Sequence, residues 1–563
     1  MYMADSSSIL QDQLAKMRRE AEERDAKRLA DSYRLQYLPP AKVVVNLEAL
    51  ALVPESQSSE ASMALIAAKD NKVAAIATDP KHSKTIKLLE QLKARGLTVN
   101  LFVASLSSIQ YALSFYKFVP KERGKISGKI NVGSNVKEDK NIKKIQLDTI
   151  DKVKESIISN NDLARVSDLL ETILTGALSN RASDIHIEPG EGKIKLRYRV
   201  DGNLIDVFGD FEHPIYQSIM SRLKMLSNLK LNVKDEPQDG RFTINLPTKN
   251  VEVRVAIAPS EFGEVVVMRL LDPDAINLSL NDLGLRDDDL KIAQEQLDRP
   301  YGMVLNTGPT GSGKTTTLYA FLRHKNTPDI KIITIEDPIE YHLEGIQQTQ
   351  VNAEAGYTFA GGLRSLMRQD PDVILVGEIR DGETAEIAVQ AALTGHLVLS
   401  TVHANTAAGG IPRLLDLGAK AESLAPALNL LIAQRLIRRL CKFCKTKDES
   451  LTQELKGKIE KYINSLPDRV DKKKYIESIQ IYKTVGCDKC NNKGYKGRVG
   501  VYELLVVTPA IQELIIKGSG QLVIDEEIKK ADFVSMQSDG ILKVVSGLTT
   551  FEEVEEVVGK INW

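Results

Sequence analysis

A glycine-rich turn between an apolar strand and a helix constrains the fold more than any other stretch. Residues 302–322 read GMVLNTGPTGSGKTTTLYAFL, and Gly308 to Thr315 match Gly-x-x-x-x-Gly-Lys-Ser/Thr at every fixed position. The glycines allow backbone N–H groups to turn toward phosphate oxygens, and the helix N-terminus adds a favourable field. The context predicts an α/β domain that binds a nucleotide. A strand-to-helix turn without a ligand is the alternative.

Each polar side chain of this turn has an expected role. Lys314 would reach the β- and γ-phosphates, and the Thr315 hydroxyl would ligate Mg²⁺. The residues expected to contact the nucleotide are Gly308, Pro309, Thr310, Gly311, Ser312, Gly313, Lys314, Thr315 and Thr316.

Acidic residues follow two further strand-like runs. KIITIEDPIEY contains Glu336 and Asp337, and PDVILVGEIRD contains Glu378. Because the carboxyl ends of parallel strands line the ligand crevice, these carboxylates are expected near the phosphates. Glu378 is the predicted base that polarises the attacking water, while Glu336 and Asp337 could hold magnesium or its waters. Helix caps or surface ion pairs are the alternative reading.

Two histidines flank a third apolar run. His396 and His403 lie on either side of LVLST, and their odd spacing puts them on opposite faces of a continuous strand. Either could sense the γ-phosphate, and either could be a hydrogen-bonded core histidine. The spacing alone favours neither role.

The overall composition argues against one class of partner. Lys and Arg number 75 against 76 Asp and Glu, and aromatic residues make up 5% of the chain. A nucleic-acid binder that relies on overall positive charge or on many stacking rings is therefore disfavoured, although a local basic patch stays possible. No run of about eighteen apolar residues occurs, and the N-terminus lacks a signal-peptide core. We expect a cytosolic protein that reaches a membrane only through partners.

All four cysteines fall in two C-x-x-C pairs. Cys441/Cys444 and Cys487/Cys490 could supply four thiolates to one tetrahedral Zn²⁺ in a closed structural site. Residues 445–486 make a longer loop than most zinc ribbons have, and a redox C-x-x-C is the alternative. A thioredoxin-like context for that alternative is missing. The charged, helix-like stretch within the loop is expected to be solvated.

Longer stretches resemble the secretion ATPase superfamily, in particular the assembly ATPases of type IV pili and type II secretion. The resemblance is carried by TIEDPIEY, FAGGLRSLMRQDPDVILVGEIRD and ALTGHLVLSTVHAN, which are similar to the family's Asp box, Walker B region and His box. It extends upstream through ASDIHIEP and LRYRVDGNL, and downstream to SDGILKVVSGLTTFEEVEEVV. One departure is Thr406, where family members often have aspartate.

The resemblance implies a ring hexamer that holds ATP with Mg²⁺ between two domains of each subunit. Hydrolysis would move these domains and turn an inner-membrane platform protein that lifts pilins into a filament. The family's arginine fingers correspond to Arg254 and Arg269, with Arg241 a weaker candidate; Glu378, Glu336, His403 and His396 correspond to its catalytic boxes. The cysteine pairs are typical of extension ATPases. A retraction ATPase, a RecA-type nucleic-acid translocase and a non-hydrolysing scaffold are the alternatives.

The expected fold class is multidomain α/β, with a RecA-like P-loop domain after α/β N-terminal domains. The expected segments are a charged helix or tail (1–38), an N-terminal α/β domain (39–120), a linker (121–160), a second N-terminal domain with the arginine fingers (161–275), the ATPase domain (276–435), a tetracysteine zinc element (436–500) and a C-terminal helical region (501–563).

Overall fold

The computed structural model describes residues 5–46, 49–50, 52–69, 72–118, 129–131, 147–160, 166–275, 277–477, 479–530 and 532–563. The chain divides into two compact units. The first comprises Met1–Val200 with Leu204–Leu270, and the second comprises Asp201–Asn203 with Leu271–Trp563. Within the described ranges, no helix combines the length and the apolar character that crossing a bilayer requires.

The first unit begins with a long helix and a small α/β layer. Its helices are α1 (Asp5–Tyr33), α2 (Glu55–Ala61), α3 (Ser83–Ala94) and α4 (Leu106–Leu113), and its strands are β1 (Gln36–Tyr37), β2 (Met63–Lys69), β3 (Lys72–Ala77) and β4 (Thr98–Val103). The strands form one sheet in the order β1-β4-β3-β2, with β2 and β3 antiparallel. Ala26 and Ala30 of α1 pack against Val103, which joins the helix to this layer.

The rest of the first unit is a larger sheet covered by helices. The helices are α5 (Ile150–Asn160), α6 (Val166–Ser179) and α7 (His213–Leu226), and the strands are β5 (Lys129–Asn131), β6 (Ala182–Gly190), β7 (Lys193–Val200), β8 (Asn203–Phe208), β9 (Gln238–Asn245), β10 (Asn250–Ser260) and β11 (Gly263–Leu271). The order is β5-β9-β10-β11-β6-β7-β8. Alternate residues of β10 are buried, as expected for a sheet with one face on the core.

A seven-stranded, mainly parallel sheet forms the centre of the second unit. Its strands are β12 (Gly302–Thr307), β13 (Ile332–Glu336), β14 (Gln347–Gln350), β15 (Val373–Val376), β16 (Leu397–Val402), β17 (Leu428–Leu440) and, after the short pair β18 (Thr446–Lys447) and β19 (Tyr482–Lys483), β20 (Tyr495–Val506). Their order is β14-β13-β15-β16-β12-β17-β20. Every residue of β12, β15 and β16 is buried, which explains why these strands are mostly apolar.

Helices cover both faces of this sheet and continue to the C-terminus. They are α8 (Asp287–Leu297), α9 (Lys314–Lys325), α10 (Phe359–Met367), α11 (Gly382–Leu393), α12 (Gly410–Asp416), α13 (Ala421–Ala427), α14 (Gln453–Asn464), α15 (Lys472–Ile476), α16 (Pro509–Ile516), α17 (Gln521–Lys530), α18 (Met536–Val545) and α19 (Phe551–Val558). The fold class expected from the sequence, a parallel-sheet α/β nucleotide-binding domain among further α/β elements, is confirmed.

Some structural elements cross the expected segment boundaries. β17 and β20 pair antiparallel from Leu430↔Val506 onward, so the ATPase sheet runs past 435 and takes its last strand from beyond the cysteines. The expected linker contains strand β5 and helix α5, whose apolar residues join the core of the second sheet; residues 121–128 and 132–146 lie outside the described part.

The charged stretch between the cysteine pairs is not a purely solvated loop. Helix α14 buries Ile459 and Ile463, which pack with residues of α18. Arg469 forms ion pairs with Asp288 and with Asp289, whose carboxylates lie on α8. The stretch therefore has an apolar face, which its lysine-rich composition does not suggest.

Candidate functional site

The glycine-rich loop connects β12 to α9 at the carboxyl edge of the parallel sheet. Gly308, Gly311 and Gly313 have φ values of +148°, +80° and +91°, a region that side chains with a Cβ rarely adopt. A Cβ on Gly308 would lie 2.6 Å from Ser312 Oγ and 2.8 Å from the Gln434 carbonyl oxygen. Both the dihedral angles and the close contacts therefore require glycine in this loop.

Lys314 and Thr315 stand at the first turn of α9. The Lys314 Nζ donates hydrogen bonds to the carbonyls of Gly308 (2.7 Å) and Pro309 (3.1 Å), so it bends back over the loop. Burial lowers the pKa of Lys314, while the charge of Glu378 opposes that effect. The Thr315 side chain is exposed beside it. The lysine and the hydroxyl that are predicted to contact phosphate and Mg²⁺ thus lie at the same loop.

Glu378 of the predicted Walker B region lies close to Arg380 and His403, and Arg380 in turn lies close to Asp337 of the predicted Asp box. Glu378 follows β15, and its mostly buried carboxylate accepts a hydrogen bond from the Arg380 guanidinium. His403 Nε2 lies 3.4 Å from Glu378 Oε2, and Arg380 Nη1 lies 4.0 Å from Asp337 Oδ2. Since β13, β15 and β16 are adjacent and parallel, the residues that follow them meet at one edge.

Glu336 lies in a different environment from the one expected. Its buried carboxylate accepts hydrogen bonds from Tyr319 Oη (2.5 Å), Thr334 Oγ1 (2.6 Å) and Gln348 Nε2 (3.2 Å). Burial, and then the Glu336 charge, raise the pKa of the Tyr319 hydroxyl. Both carboxylate oxygens are thus engaged inside the domain, where they tie β13 to α9.

The structure separates the two histidines. His396 precedes β16, and its Nδ1 lies 3.0 Å from the Ala391 carbonyl, whereas His403 follows the same strand and is exposed beside Glu378. Six strand residues separate them, a span of roughly 20 Å at about 3.3 Å per residue. His396 is therefore at the opposite edge of the sheet from the phosphate loop.

This separation predicts different effects for two matched substitutions. We expect His403→Gln to lower kcat by about tenfold to a hundredfold, since a hydrogen bond to a charged group contributes about 1.5–3 kcal/mol. His396→Gln should leave kcat within about twofold of the wild type because its ring is far from the reacting groups. Steady-state ATP hydrolysis by both purified variants measures this. Equal losses in both would contradict the separation.

The departure at Thr406 has a local explanation. Thr406 Oγ1 accepts a hydrogen bond from the Gly409 N–H at 3.1 Å, just before α12 begins. An aspartate at this position could accept the same bond, so threonine preserves this turn while removing a charge. The preceding Asn405 carbonyl accepts from Arg435 Nη2 at 3.2 Å, which fixes the loop that carries His403.

Several residues of this site were missed from the sequence. Arg380 pairs with Glu378, and Gln434 touches the phosphate loop from β17. The buried carboxylate of Glu503 on β20 accepts hydrogen bonds from the N–H groups of Ala407 (2.7 Å) and Met536 (3.3 Å). Burial raises the pKa of Glu503. For Gln434 and Glu503, the signal available in the sequence was a polar residue inside an otherwise apolar strand, as in LNLLIAQRL and VGVYELLV.

The candidate arginine fingers belong to the large sheet of the first unit. Arg269 on β11 donates to Asp184 Oδ1 at 3.0 Å, and its side chain is 56% exposed. Arg254 on β10 stands opposite Arg241 on β9, and Arg241 lies 3.9 Å from Glu252. The half-exposed Arg269 guanidinium can reach an anionic group while its bond to Asp184 anchors it on a rigid strand.

The four cysteines form one compact cluster. Their sulfur atoms all lie within 4.8 Å of one another, with 3.9 Å between Cys441 and Cys487 and 3.8 Å between Cys444 and Cys490. Four thiolates about 2.3 Å from a common tetrahedral zinc would lie roughly 3.8 Å apart. The sulfur geometry therefore fits zinc.

The backbone around the cluster has the form of a metal knuckle. The N–H groups of Cys487 and Gly494 donate to Cys490 Sγ at 3.3 and 3.2 Å. Burial is the largest single effect and raises the pKa of Cys490, but these two bonds together with those from the Cys487 and Cys444 thiols lower it overall. Gly494 has a φ of +74°, and a Cβ there would lie 2.5 Å from the Thr484 Cβ. The sequence prediction of a four-cysteine zinc site fits this cluster.

Comparison with known proteins adds the family. The type II/IV secretion system protein family matches residues 159–556. The chain belongs to this family. It is 43% identical over 403 residues to the type II secretion system protein E of Aeromonas hydrophila, covering 72% of this chain and 77% of that protein. It is 41% identical over 460 residues to the type IV pilus assembly ATPase PilB of Myxococcus xanthus, covering 82% and 78%.

Solved structures support the same fold. The ATPase DotB of Legionella pneumophila superposes with a TM-score of 0.50 at 21% identity, covering 69% of this chain and 95% of DotB. DotB of Yersinia pseudotuberculosis gives 0.51 at 21% identity, covering 70% and 93%. The expected resemblance to the secretion and pilus-assembly ATPases is confirmed, and the chain is an ATPase of this kind.

Proposed function

We propose that this ATPase works as a ring hexamer that powers extension of a type IV pilus or a type II secretion pseudopilus. The observation that carries the proposal is the meeting of the phosphate loop, Glu378, Arg380 and His403 at one edge of the parallel sheet. Relatives at 41–44% identity are named type II secretion and type IV pilus assembly ATPases. Extension is favoured over retraction by the tetracysteine cluster and the large first unit.

In this proposal each residue at the sheet edge has one task. Lys314 holds the β- and γ-phosphates, and the exposed Thr315 hydroxyl and Asp337 carboxylate hold Mg²⁺ or its waters, since hydroxyl and carboxylate oxygens suit that ion. Magnesium supplies neutralisation of phosphate charge when bound. Glu378 accepts the proton of the attacking water, while His403 and Arg380 orient its carboxylate.

The transition state also needs positive charge, and two arginines of the chain are the proposed source. We assign this role to Arg254 and Arg269, because guanidinium groups stay charged and present a fork to phosphate oxygens. In other NTPases such a finger accelerates hydrolysis by about 10³–10⁵. The mechanical work would pass to an inner-membrane platform protein. Contacts with protein partners would hold the ATPase at the cytoplasmic face of that membrane.

The test is ATP turnover by the purified full chain with and without detergent-solubilised platform protein from the same cell. We expect hexamers that hydrolyse ATP, stimulation by the platform protein, and loss of turnover in Lys314→Ala with hexamers retained. Pilus or pseudopilus extension should stop in cells that carry Lys314→Ala. A chain that stays monomeric with nucleotide at high concentration would count against the ring, and turnover stimulated by DNA would favour a translocase.

A further inference from the structure

Gln434 is a buried polar residue in an apolar part of β17, and its side chain contacts the phosphate loop. It is 1% exposed. Its Nε2 donates a hydrogen bond to the Ser312 carbonyl at 2.7 Å, and its Oε1 accepts one from Asn306 Nδ2 at 2.8 Å. The amide therefore connects the last strand before the loop to the loop itself.

The bond to Ser312 fixes the orientation of one peptide group. In a trans peptide the carbonyl oxygen and the N–H of the next residue point in opposite directions. When the Ser312 carbonyl points toward Gln434, the Gly313 N–H must point away from Gln434. In a glycine-rich phosphate loop, backbone N–H groups are the donors to phosphate oxygens.

Packing makes this arrangement specific. A Cβ on Gly313 would lie 2.9 Å from Gln434 Nε2, and a Cβ on Gly308 would lie 2.8 Å from the Gln434 carbonyl oxygen. Two of the loop glycines thus rest directly on this one residue. A side chain at either glycine would push the loop off β17.

We propose that Gln434 is a positioning residue that orients the Gly313 N–H toward the phosphates and so sets nucleotide affinity. It acts through the loop and does not touch the nucleotide. The inference rests on the assignment of residues 308–315 to the phosphates. It gives a physical reason for a glutamine inside LNLLIAQRL, where an apolar residue would otherwise pack more easily.

Asn429 offers a matched control on the same strand. It is also buried, its Nδ2 donates to the Tyr301 carbonyl at 2.9 Å, and its Oδ1 accepts from Arg299 at 3.2 Å. A Cβ on Gly302 would collide with it, as one on Gly313 would with Gln434. It differs in lying at the other end of β12 from the phosphate loop.

The experiment compares Gln434→Met, Gln434→Glu and Asn429→Leu in the purified protein. Methionine keeps the volume and loses both hydrogen bonds; glutamate keeps an acceptor for Asn306 and loses the donor to Ser312. We expect both Gln434 variants to raise the KM for ATP and the Kd for N-methylanthraniloyl-ADP about tenfold, which corresponds to about 1.4 kcal/mol. At saturating ATP their kcat should stay within about threefold of the wild type.

Asn429→Leu should lower the thermal midpoint by an amount similar to Gln434→Met and leave KM and Kd within about twofold. A merely structural role for Gln434 would give the same KM in both variants, and that result would overturn the proposal. If Gln434→Met does not fold, Gln434→Glu decides, and wild-type affinity there would also overturn it. Wild-type turnover in Lys314→Ala would instead show that the phosphates bind elsewhere.

Discussion

Glu378→Gln should reduce the kcat for ATP hydrolysis by about 10²–10⁴-fold and leave nucleotide affinity nearly unchanged. The carboxylate stands at the end of β15 with Arg380 on one oxygen and His403 3.4 Å from the other. Glutamine can keep a hydrogen bond to Arg380 but cannot take a proton from water. Single-turnover hydrolysis and binding of N-methylanthraniloyl-ADP, measured on the same protein preparation, separate chemistry from affinity.

Glu336→Gln is the natural comparison, because Glu336 belongs to the predicted Asp box as Glu378 belongs to the predicted Walker B region. Its oxygens face Tyr319, Thr334 and Gln348 inside the domain. We expect a loss of about 1–3 kcal/mol in unfolding free energy with a smaller change in kcat than Glu378→Gln causes. The assignment of the base would be wrong if Glu378→Gln kept more than a tenth of the wild-type kcat.

The phosphate loop was predictable from the sequence because its geometry is local. Gly308, Gly311 and Gly313 are required by backbone dihedral angles that few other residues adopt, so spacing alone reports the turn. The parallel strands were predictable for a related reason. Strands covered on both faces are mostly apolar, and the residues that follow them collect at one edge.

The sequence did not allow us to predict in which direction a side chain points at the end of a strand or just beyond it. Glu336 and Asp337 are neighbours, yet Glu336 is buried under α9 and Asp337 is exposed near Arg380. The spacing of His396 and His403 left the role of each open, and strand β16 places them at its two ends. Gln434 lies on β17, which pairs with β12, and Glu503 lies on β20, which pairs with β17 only after a chain segment that contains all four cysteines.

The second large effect is expected from a substitution in the cysteine cluster. Cys490→Ser should reduce the zinc content of the purified chain from about one per subunit to near zero, since three thiolates leave a closed structural site incomplete. Structural zinc contributes about 10–16 kcal/mol in small zinc-finger peptides, so its loss should open the local fold. Limited proteolysis should then cut within residues 441–496. Metal content by emission spectrometry and cleavage sites by mass spectrometry measure both.

Asp488→Asn is the matched control, because Asp488 sits between Cys487 and Cys490 with an exposed side chain and offers no sulfur. It should keep zinc and resist the protease as the wild type does. The expected loss is structural, since β20 follows the second cysteine pair and completes the ATPase sheet beside β17. Without the metal, the residues that lead into β20 would no longer be held in place. ATP turnover should therefore fall together with the thermal midpoint of unfolding. A chain that purifies without zinc and with a Cys487–Cys490 disulfide would identify a redox pair instead, because a disulfide removes two of the four thiolates that the metal needs.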